Sequence, residues 1–284
     1  MIRHITLTEE MRAALRKPVE AHKYGHGHAL VLAGGVGHGG AARLAARAAL
    51  RVGAGLVTLL PPQAAVSENA AQLTAVMLAA LPDGYSLRGK LQDPRLNALL
   101  LGPGLGLPRA QEMVPAALWA KRATVLDADA LSAFAAEPGQ LFAQLHENVV
   151  LTPHLGEFAR LFPDLAKALA AGVLTRVEAT RAAADRAGCT VLLKGAETAI
   201  AAPSGEAALH LATGARAAPW LATAGAGDVL AGILTGLLAR GFSAYEAACT
   251  GAWLHVEAAR SFGPGLIAED LPDELPKVFR AILL

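Results

Sequence analysis

The chain has little cysteine, little imbalance of charge and no long apolar run. Its two cysteines, Cys189 and Cys249, are too few for a disulfide framework or a four-ligand zinc site. Cys189 opens the apolar run Cys189-Thr190-Val191-Leu192-Leu193, and Cys249 lies in an alanine-rich segment. Both read as small core residues rather than reactive thiols. A formal net charge of +1, with no block of like charge, argues against a nucleic-acid footprint or a membrane-surface patch. Residues 1–20 mix Arg3, Glu9, Glu10, Arg12, Arg16 and Lys17 and lack the apolar core of a signal peptide. The uncharged stretch from Val52 to Ser67 is interrupted by Gly53, Gly55, Pro61 and Pro62, so it is a turn–strand–turn and not a membrane span. A cytoplasmic location is the expectation.

What is present is apolar surface, at 54% of 284 residues, enough for a large core in one domain. Short V/L/A runs alternate with amphipathic segments. Strands are expected at 29–33, 56–60, 74–78, 98–101, 124–126, 149–151 and 190–193. Helices are expected at 40–52, 109–121, 156–162, 176–187, 228–240 and 244–262. Continuous apolar runs, rather than polar/apolar alternation, mark parallel strands covered on both faces by helices. Thr198–Ala202 and Ala207–Leu211 flank Pro203-Ser204-Gly205 and read as an antiparallel hairpin extending the sheet edge.

The strongest chemical signal is Thr223-Ala224-Gly225-Ala226-Gly227-Asp228 leading into an apolar helix. A glycine-rich turn at a helix start aims unpaired N–H groups at one point, where the helix dipole also favours an anion. Asp228 is then either a catalytic carboxylate beside a phosphate or simply a helix cap. Other strand ends carry polar or glycine clusters. Gly102, Gly104 and Gly106 follow one strand and let a ligand approach the backbone. Asp127 and Asp129 follow the next; Asp127 reads as a site residue and weak Mg²⁺ candidate, Asp129 as a helix cap. In Thr152-Pro153-His154-Leu155-Gly156-Glu157, His154 reads as a ligand contact, and Glu157 as a first-turn acid and a further weak metal candidate. Lys194 ends another strand, either facing a phosphate or solvated.

Two apparent motifs fail on context. Gly35-Val36-Gly37-His38-Gly39-Gly40 fits G-x-G-x-x-G, but the ribose-binding acid expected ~20 residues later is missing, and the first acid is Glu68. Residues 84–91 nearly spell a P-loop, yet lack its hydroxyl residue and strand–loop–helix setting. The remaining clusters all fall at strand ends along one sheet edge, as a ligand site in an open α/β sheet requires.

Leu101-Gly102-Pro103-Gly104-Leu105-Gly106, Leu126-Asp127-Ala128-Asp129-Ala130-Leu131, Leu151-Thr152-Pro153-His154-Leu155-Gly156-Glu157, Leu193-Lys194-Gly195 and Gly225-Ala226-Gly227-Asp228-Val229-Leu230-Ala231-Gly232 occur in this order. The set resembles that of NAD(P)H-hydrate dehydratases, with Lys23 to Gly34 and Gly40-Ala41-Ala42 completing it. The resemblance implies a ribokinase-like α/β fold: a mostly parallel sheet between helices, with antiparallel edge strands. It implies a hydro-lyase that restores hydrated NADH and NADPH, using ADP and Mg²⁺, by phosphorylating the ring hydroxyl and eliminating phosphate. Carried over by position, Ala41, Gly104, His154 and Asp228 would meet the hydrated dinucleotide. Lys194, Gly195, Ala196, Glu197, Thr198 and Gly227 would bind the nucleotide. Gly225, Ala226 and Gly227 would form the phosphate turn, and Asp228 would be the base. The resemblance further implies a single domain over residues 1–284 with no N-terminal epimerase domain, and hence a separate epimerase as functional partner. A homo-oligomer, with a tetramer among the options, is expected. The competing readings are a vitamin-precursor or sugar kinase of the same fold, and a nucleotide sensor without turnover.

This chain departs from the resemblance at two places. Ala224 and Ala226 stand where T-G-G-[ST]-G-D is common, and Val36-Gly37-His38-Gly39 replaces the usual Met-Pro before Gly40-Ala41-Ala42.

Overall fold

The computed structural model describes residues 2–283. Its strands are β1 (Arg3–His4), β2 (His28–Leu32), β3 (Leu56–Leu60), β4 (Met77–Leu78), β5 (Leu96–Leu101), β6 (Ala123–Leu126), β7 (Val149–Leu151), β8 (Thr190–Leu193), β9 (Glu197–Ala201) and β10 (Ala207–Leu211). The helices up to the hairpin are α1 (Glu9–Leu15), α2 (Gly40–Arg51), α3 (Val66–Ala70), α4 (Gly84–Lys90), α5 (Leu107–Leu118), α6 (Asp129–Ser132), α7 (Pro138–Phe142), α8 (Leu155–Leu161), α9 (Pro163–Ala170) and α10 (Arg176–Ala187). After it come α11 (Ala226–Ala239), α12 (Ala244–Phe262) and α13 (Asp270–Leu283).

The strands form one sheet in the order β1-β10-β9-β8-β7-β6-β5-β2-β3-β4. Only β9 is reversed: it pairs antiparallel with β8 and β10, and the other ladders are parallel. Both faces are buried, as the apolar runs require. Alternate residues of one strand feed two cores. Ala29 and Val31 of β2 pack toward α2, α11 and α12. Leu30 and Leu32 pack toward the face that carries α5, α8 and α10.

The expected hairpin is present, but β1 pairs outside β10, so the outermost strand on that side is an N-terminal segment. The strand expected at 74–78 reduces to Met77–Leu78, since Thr58–Leu59 of β3 offers it just two paired positions. Residues 84–91 lie largely in α4, capped by Asp83, whose side chain accepts from Ser86 N; they form no phosphate loop. Helices α1, α9 and α13 were not anticipated. Among the described residues, no helix is long and apolar enough to cross a membrane. Both cysteines are buried, and burial pushes their thiol pKa values up, which leaves them inert.

Chain order reverses between β2 and β5: β3 and β4 lie to one side of β2, β5 through β8 to the other. The crevice beyond the carboxyl ends of strands at such a reversal is where open α/β sheets take ligands. Helix α11 reaches this edge by packing against α2 through glycines. A Cβ on Gly232 would lie 2.2 Å from Ala45 O, and one on Gly236 would lie 2.6 Å from Ala49 O. Glycine costs about 1 kcal/mol of helix propensity at each position, and backbone-to-backbone packing is what it permits.

Gly232→Ala therefore tests this packing. Propensity alone predicts a gain of about 1 kcal/mol, whereas overpacking predicts a net loss of ~1–3 kcal/mol. We expect a lower urea midpoint; an unchanged or raised midpoint would show that the α2–α11 contact yields freely.

Candidate active site

The turn before α11 has the geometry of a helix start with unpaired backbone N–H groups. Gly225, with φ +90°, is the N-cap and makes no side-chain cap bond. The helix begins at Ala226, two residues earlier than expected. Asp228 therefore falls in the first turn and does not cap the helix. The free N–H groups of this end stay available to a ligand.

Lys194, at the end of β8, is not solvated. Its Nζ lies 2.6 Å from Asp127 Oδ1 and 4.0 Å from Glu157 Oε2. A Cβ placed on Gly227 would be 3.6 Å from the same Nζ, so the lysine lies directly against the turn. Burial is the largest single influence on its ammonium and pushes the pKa down, but Asp127, Glu157 and Asp228 outweigh it and hold the group above the usual lysine value. Asp228 is shifted strongly. Burial and the neighbouring Asp127 and Asp129 carboxylates push it up, Lys194 pulls it down, and the result is about 6.

The chain between Asp127 and Asp129 is strained. Ala128 has φ +49° and ψ −115°, a conformation costing ~1–3 kcal/mol for a non-glycine residue. The kink sends Asp127 toward Lys194 and Asp129 toward the β5 loop, where Asp129 Oδ2 accepts from Gly106 N at 2.8 Å. Asp129 is thus a cross-loop tie and not the helix cap expected of it.

His154 caps α8. Its Nδ1 accepts from Gly156 N at 2.9 Å and Glu157 N at 3.3 Å, while Glu157 Oε2 accepts from His154 N at 2.8 Å. With Nδ1 occupied as an acceptor, the hydrogen-bond network assigns the ring proton of neutral His154 to Nε2. That nitrogen lies 3.5 Å from Glu157 Oε1 on a side chain 55% exposed, and so offers a donor to the crevice.

At the β2–β5 reversal, Gly34 and Gly104 touch: a Cβ on Gly34 would lie 1.9 Å from Gly104 O. Gly104, with φ +64°, would carry its own Cβ 3.6 Å from that of Ala41. Ala41 and Gly104 thus share one wall of the crevice. The G-x-G-x-x-G loop is held by Glu68, whose Oε2 accepts from Gly37 N at 2.8 Å. The acid closest to the missing ribose ligand is therefore spent on the loop itself.

Beyond Gly227 opens a cavity of about 470 Å³ whose wall includes Lys194, Gly195, Ala196, Thr198, Ala226 and Gly227. Glu197 is exposed and does not line it. Arg176, unforeseen, donates to Lys194 O and holds the strand end from behind. His255, also unforeseen, lines the cavity floor; its signal was a lone histidine in the apolar run Trp253-Leu254-His255-Val256. A larger cavity of about 720 Å³ surrounds Arg240 at the far end of α11 and shares none of this chemistry.

Asp127 and Glu157 do not make a metal cage. The Lys194 ammonium fills the space between them, and no group of three or more His, Cys, Asp or Glu suited to an ion occurs among the described residues.

A mostly parallel sheet of this order, with a glycine turn and a helix start at its carboxyl edge, is the ribokinase-like fold. A ribokinase-like protein of Enterococcus faecalis superposes with a TM-score of 0.82 over 99% of this chain and 96% of its own, at 22% identity. A sequence model of the NAD(P)H-hydrate dehydratase family matches residues 29–278, and the chain belongs to that family. The ADP-dependent (S)-NAD(P)H-hydrate dehydratase of Neisseria meningitidis is 38% identical over 84% of this chain and 78% of its own. The ADP/ATP-dependent NAD(P)H-hydrate dehydratase of Bacillus subtilis, co-crystallised with ATP/Mg²⁺, is 28% identical with a TM-score of 0.79 and covers 99% of each chain. This chain spans about half the length of bifunctional NAD(P)H-hydrate repair enzymes such as that of Gloeobacter violaceus, of which it covers 49%.

The raised Asp228 pKa has a stability consequence. A carboxyl whose pKa rises on folding from 3.8 to about 6 stabilises the fold fully below pH ~4, and that contribution is lost as pH rises through ~6. Asp228→Asn removes the effect. The variant should match the wild type at pH 4 and exceed it by about 1–3 kcal/mol at pH 8, allowing for partial solvent screening. Chemical denaturation at the two pH values measures the difference. A variant less stable at pH 8 than the wild type would mean that Asp228 holds the helix end.

Proposed function

We propose that this chain dehydrates the S-form of hydrated NADH and NADPH at the expense of ADP. The observation that carries this reading is Asp228. It is a half-buried carboxyl with a pKa near 6, one residue beyond the glycine that lines the cavity and close enough to Lys194 to shift it.

In this reading ADP occupies the cavity with its terminal phosphoryl group at the Gly225–Gly227 turn. The nicotinamide ring lies in the crevice at Ala41, Gly104 and His154. Asp228 accepts the proton of the ring hydroxyl. The hydroxyl oxygen bonds to the terminal phosphorus, the bond from that phosphorus to its bridging oxygen breaks, and AMP leaves. The turn and Lys194 meet the negative charge moved in this step. Breakage of the ring C–O bond then expels phosphate, and loss of a proton from the neighbouring carbon restores the double bond. His154, with its proton on Nε2, orients the dinucleotide as a donor. Mg²⁺ would arrive with the nucleotide and neutralise phosphate charge, since the side chains present provide no cage for it, and none of these steps is assigned to it. The epimerase that supplies the S-form is a separate activity.

The test mixes the protein with hydrated NADH, ADP and Mg²⁺ and follows recovery of NADH near-UV absorbance together with release of AMP and phosphate. Accumulation of a stable phosphorylated product would instead identify a kinase. Asp228→Asn should retain ADP binding and lose ~10²–10⁴-fold in turnover. Because the base acts only when ionised, wild-type kcat/KM should rise with pH and level off above the Asp228 pKa of about 6. Near-normal turnover in the variant would remove Asp228 from the chemistry.

A further inference from the structure

Lys194, Gly195 and Ala196 line the cavity beyond Gly227, and each of their carbonyls is tied back into the protein. Gly195 O accepts from Thr198 Oγ1 at 2.8 Å, and Ala196 O accepts from Ala212 N at 2.8 Å. Those donors come from the same turn and from the end of the adjoining strand. Lys194 O is held differently. Its donor is Arg176 Nη2, from the first turn of α10, 18 positions away in the chain. The same nitrogen lies 3.3 Å from Leu193 O, so one arm of the guanidinium spans the last two carbonyls of the strand end. The capping box between Thr175 and Glu178 fixes the start of α10, and with it the point from which Arg176 reaches.

Gly195 is shaped around this guanidinium. Its φ lies outside the left-handed region, so the backbone does not itself require glycine. A Cβ there would lie 2.7 Å from Arg176 Nη2 and 3.2 Å from its Cζ, while Glu197 O, at 3.4 Å, would be an ordinary contact. The arginine stands where a side chain at position 195 would go. Its charge is placed with little compensation. Lys194 has Asp127 and Glu157 beside it, whereas Arg176 spends its donors on carbonyl oxygens. Burial pushes its pKa down and only the Glu197 carboxylate opposes this. A half-buried cation committed to two backbone carbonyls costs desolvation, and what it returns is a fixed strand end.

We propose that Arg176 is the positioning residue of the nucleotide segment: it holds the Lys194–Gly195 peptide in the place from which Lys194 and the turn meet the phosphates of a bound nucleoside diphosphate. The inference rests on the reading of this cavity as the ADP site. Arg176 does not line the cavity and acts through the two residues that do. Misplacing a positioning group by about 1 Å can cost ~10²-fold, so the bond from Arg176 is felt at the ligand. It also explains the glycine that follows Lys194, since a larger residue would displace the guanidinium.

The experiment is calorimetric titration of the wild type, Arg176→Ala, Arg176→Lys, Gly195→Ala and the double variant Arg176→Ala/Gly195→Ala with ADP and, separately, with hydrated NADH, each protein having its urea midpoint measured. Arg176→Ala should bind ADP ~10–100-fold more weakly, the usual worth of a hydrogen bond from a charged donor, and hydrated NADH as the wild type does. Arg176→Lys, which keeps the charge and one donor group, should recover part of the loss. Gly195→Ala should lose ADP affinity by displacing the arginine. In the Arg176→Ala background that space is already vacated, so the same change should cost little more. Fully additive losses would mean that position 195 meets the nucleotide independently of Arg176, and would overturn the inference. So would Arg176→Ala with a lowered urea midpoint and wild-type ADP affinity, which makes the arginine a brace of the fold and leaves the function untouched. If the wild type itself binds no ADP, the ADP reading fails and takes the inference with it. Should Arg176→Ala not fold, Arg176→Lys and Gly195→Ala decide: wild-type ADP affinity in both overturns the inference.

Discussion

The Lys194 ammonium, set among the carboxylates of Asp127, Glu157 and Asp228, is the interaction on which the site depends. Two acids and a lysine brought to adjacent strand ends would repel or stay empty unless each satisfied another. A buried charge left unpaired costs several kcal/mol. The pair with Asp127 lets the lysine remain ionised beside Gly227, where the proposed function puts a phosphate charge. Burial first, and the Asp127 and Asp129 carboxylates with it, raise the Asp228 pKa to about 6 against the pull of Lys194.

The fold makes that pair possible by dividing the edge of one sheet between a crevice and a cavity. The β2–β5 reversal opens a crevice lined by glycine and alanine, where backbone rather than side chains meets the ligand. The end of β8, the reversed strand β9, the segment from Ala212 to Ala222 and helices α11 and α12 shape the separate cavity. Helix α11 delivers its N-terminus to the boundary between them, and can do so only because Gly232 and Gly236 let it lie against the α2 backbone. Strain at Ala128 is the local cost of sending Asp127 and Asp129 to opposite sides of that boundary.

Much of this was legible in the sequence, for identifiable reasons. Buried parallel strands are continuous apolar runs, so β2, β3, β5, β6, β7 and β8 announced themselves, and so did the clusters at their ends. The segments that escaped carry weaker signals. Met77–Leu78 lies inside the apolar run from Ala75 to Leu81, which is much longer than its two paired residues. Helix α4 hides in a glycine-containing stretch whose cue is the Asp83 cap. At the site, Asp228, Lys194 and His154 were identified as residues, but their states were not. Whether Lys194 is solvated depends on Asp127, 67 positions away in the chain. Whether Asp129 caps a helix or ties a loop depends on the positive φ of Ala128, a residue type that gives no warning of it.

The account's central claim is the proposal that the ring hydroxyl, deprotonated by Asp228, is phosphorylated before it leaves. Isotope tracing tests it directly. Hydrated NADH prepared in ¹⁸O-water carries the label in its ring hydroxyl, and turnover with unlabelled ADP in ordinary water should deliver that oxygen into the released phosphate. Mass spectrometry of the phosphate should find one ¹⁸O atom per molecule. Unlabelled phosphate, with the ¹⁸O released as water, would mean that the hydroxyl departs without ever bonding to phosphorus, and would contradict the account.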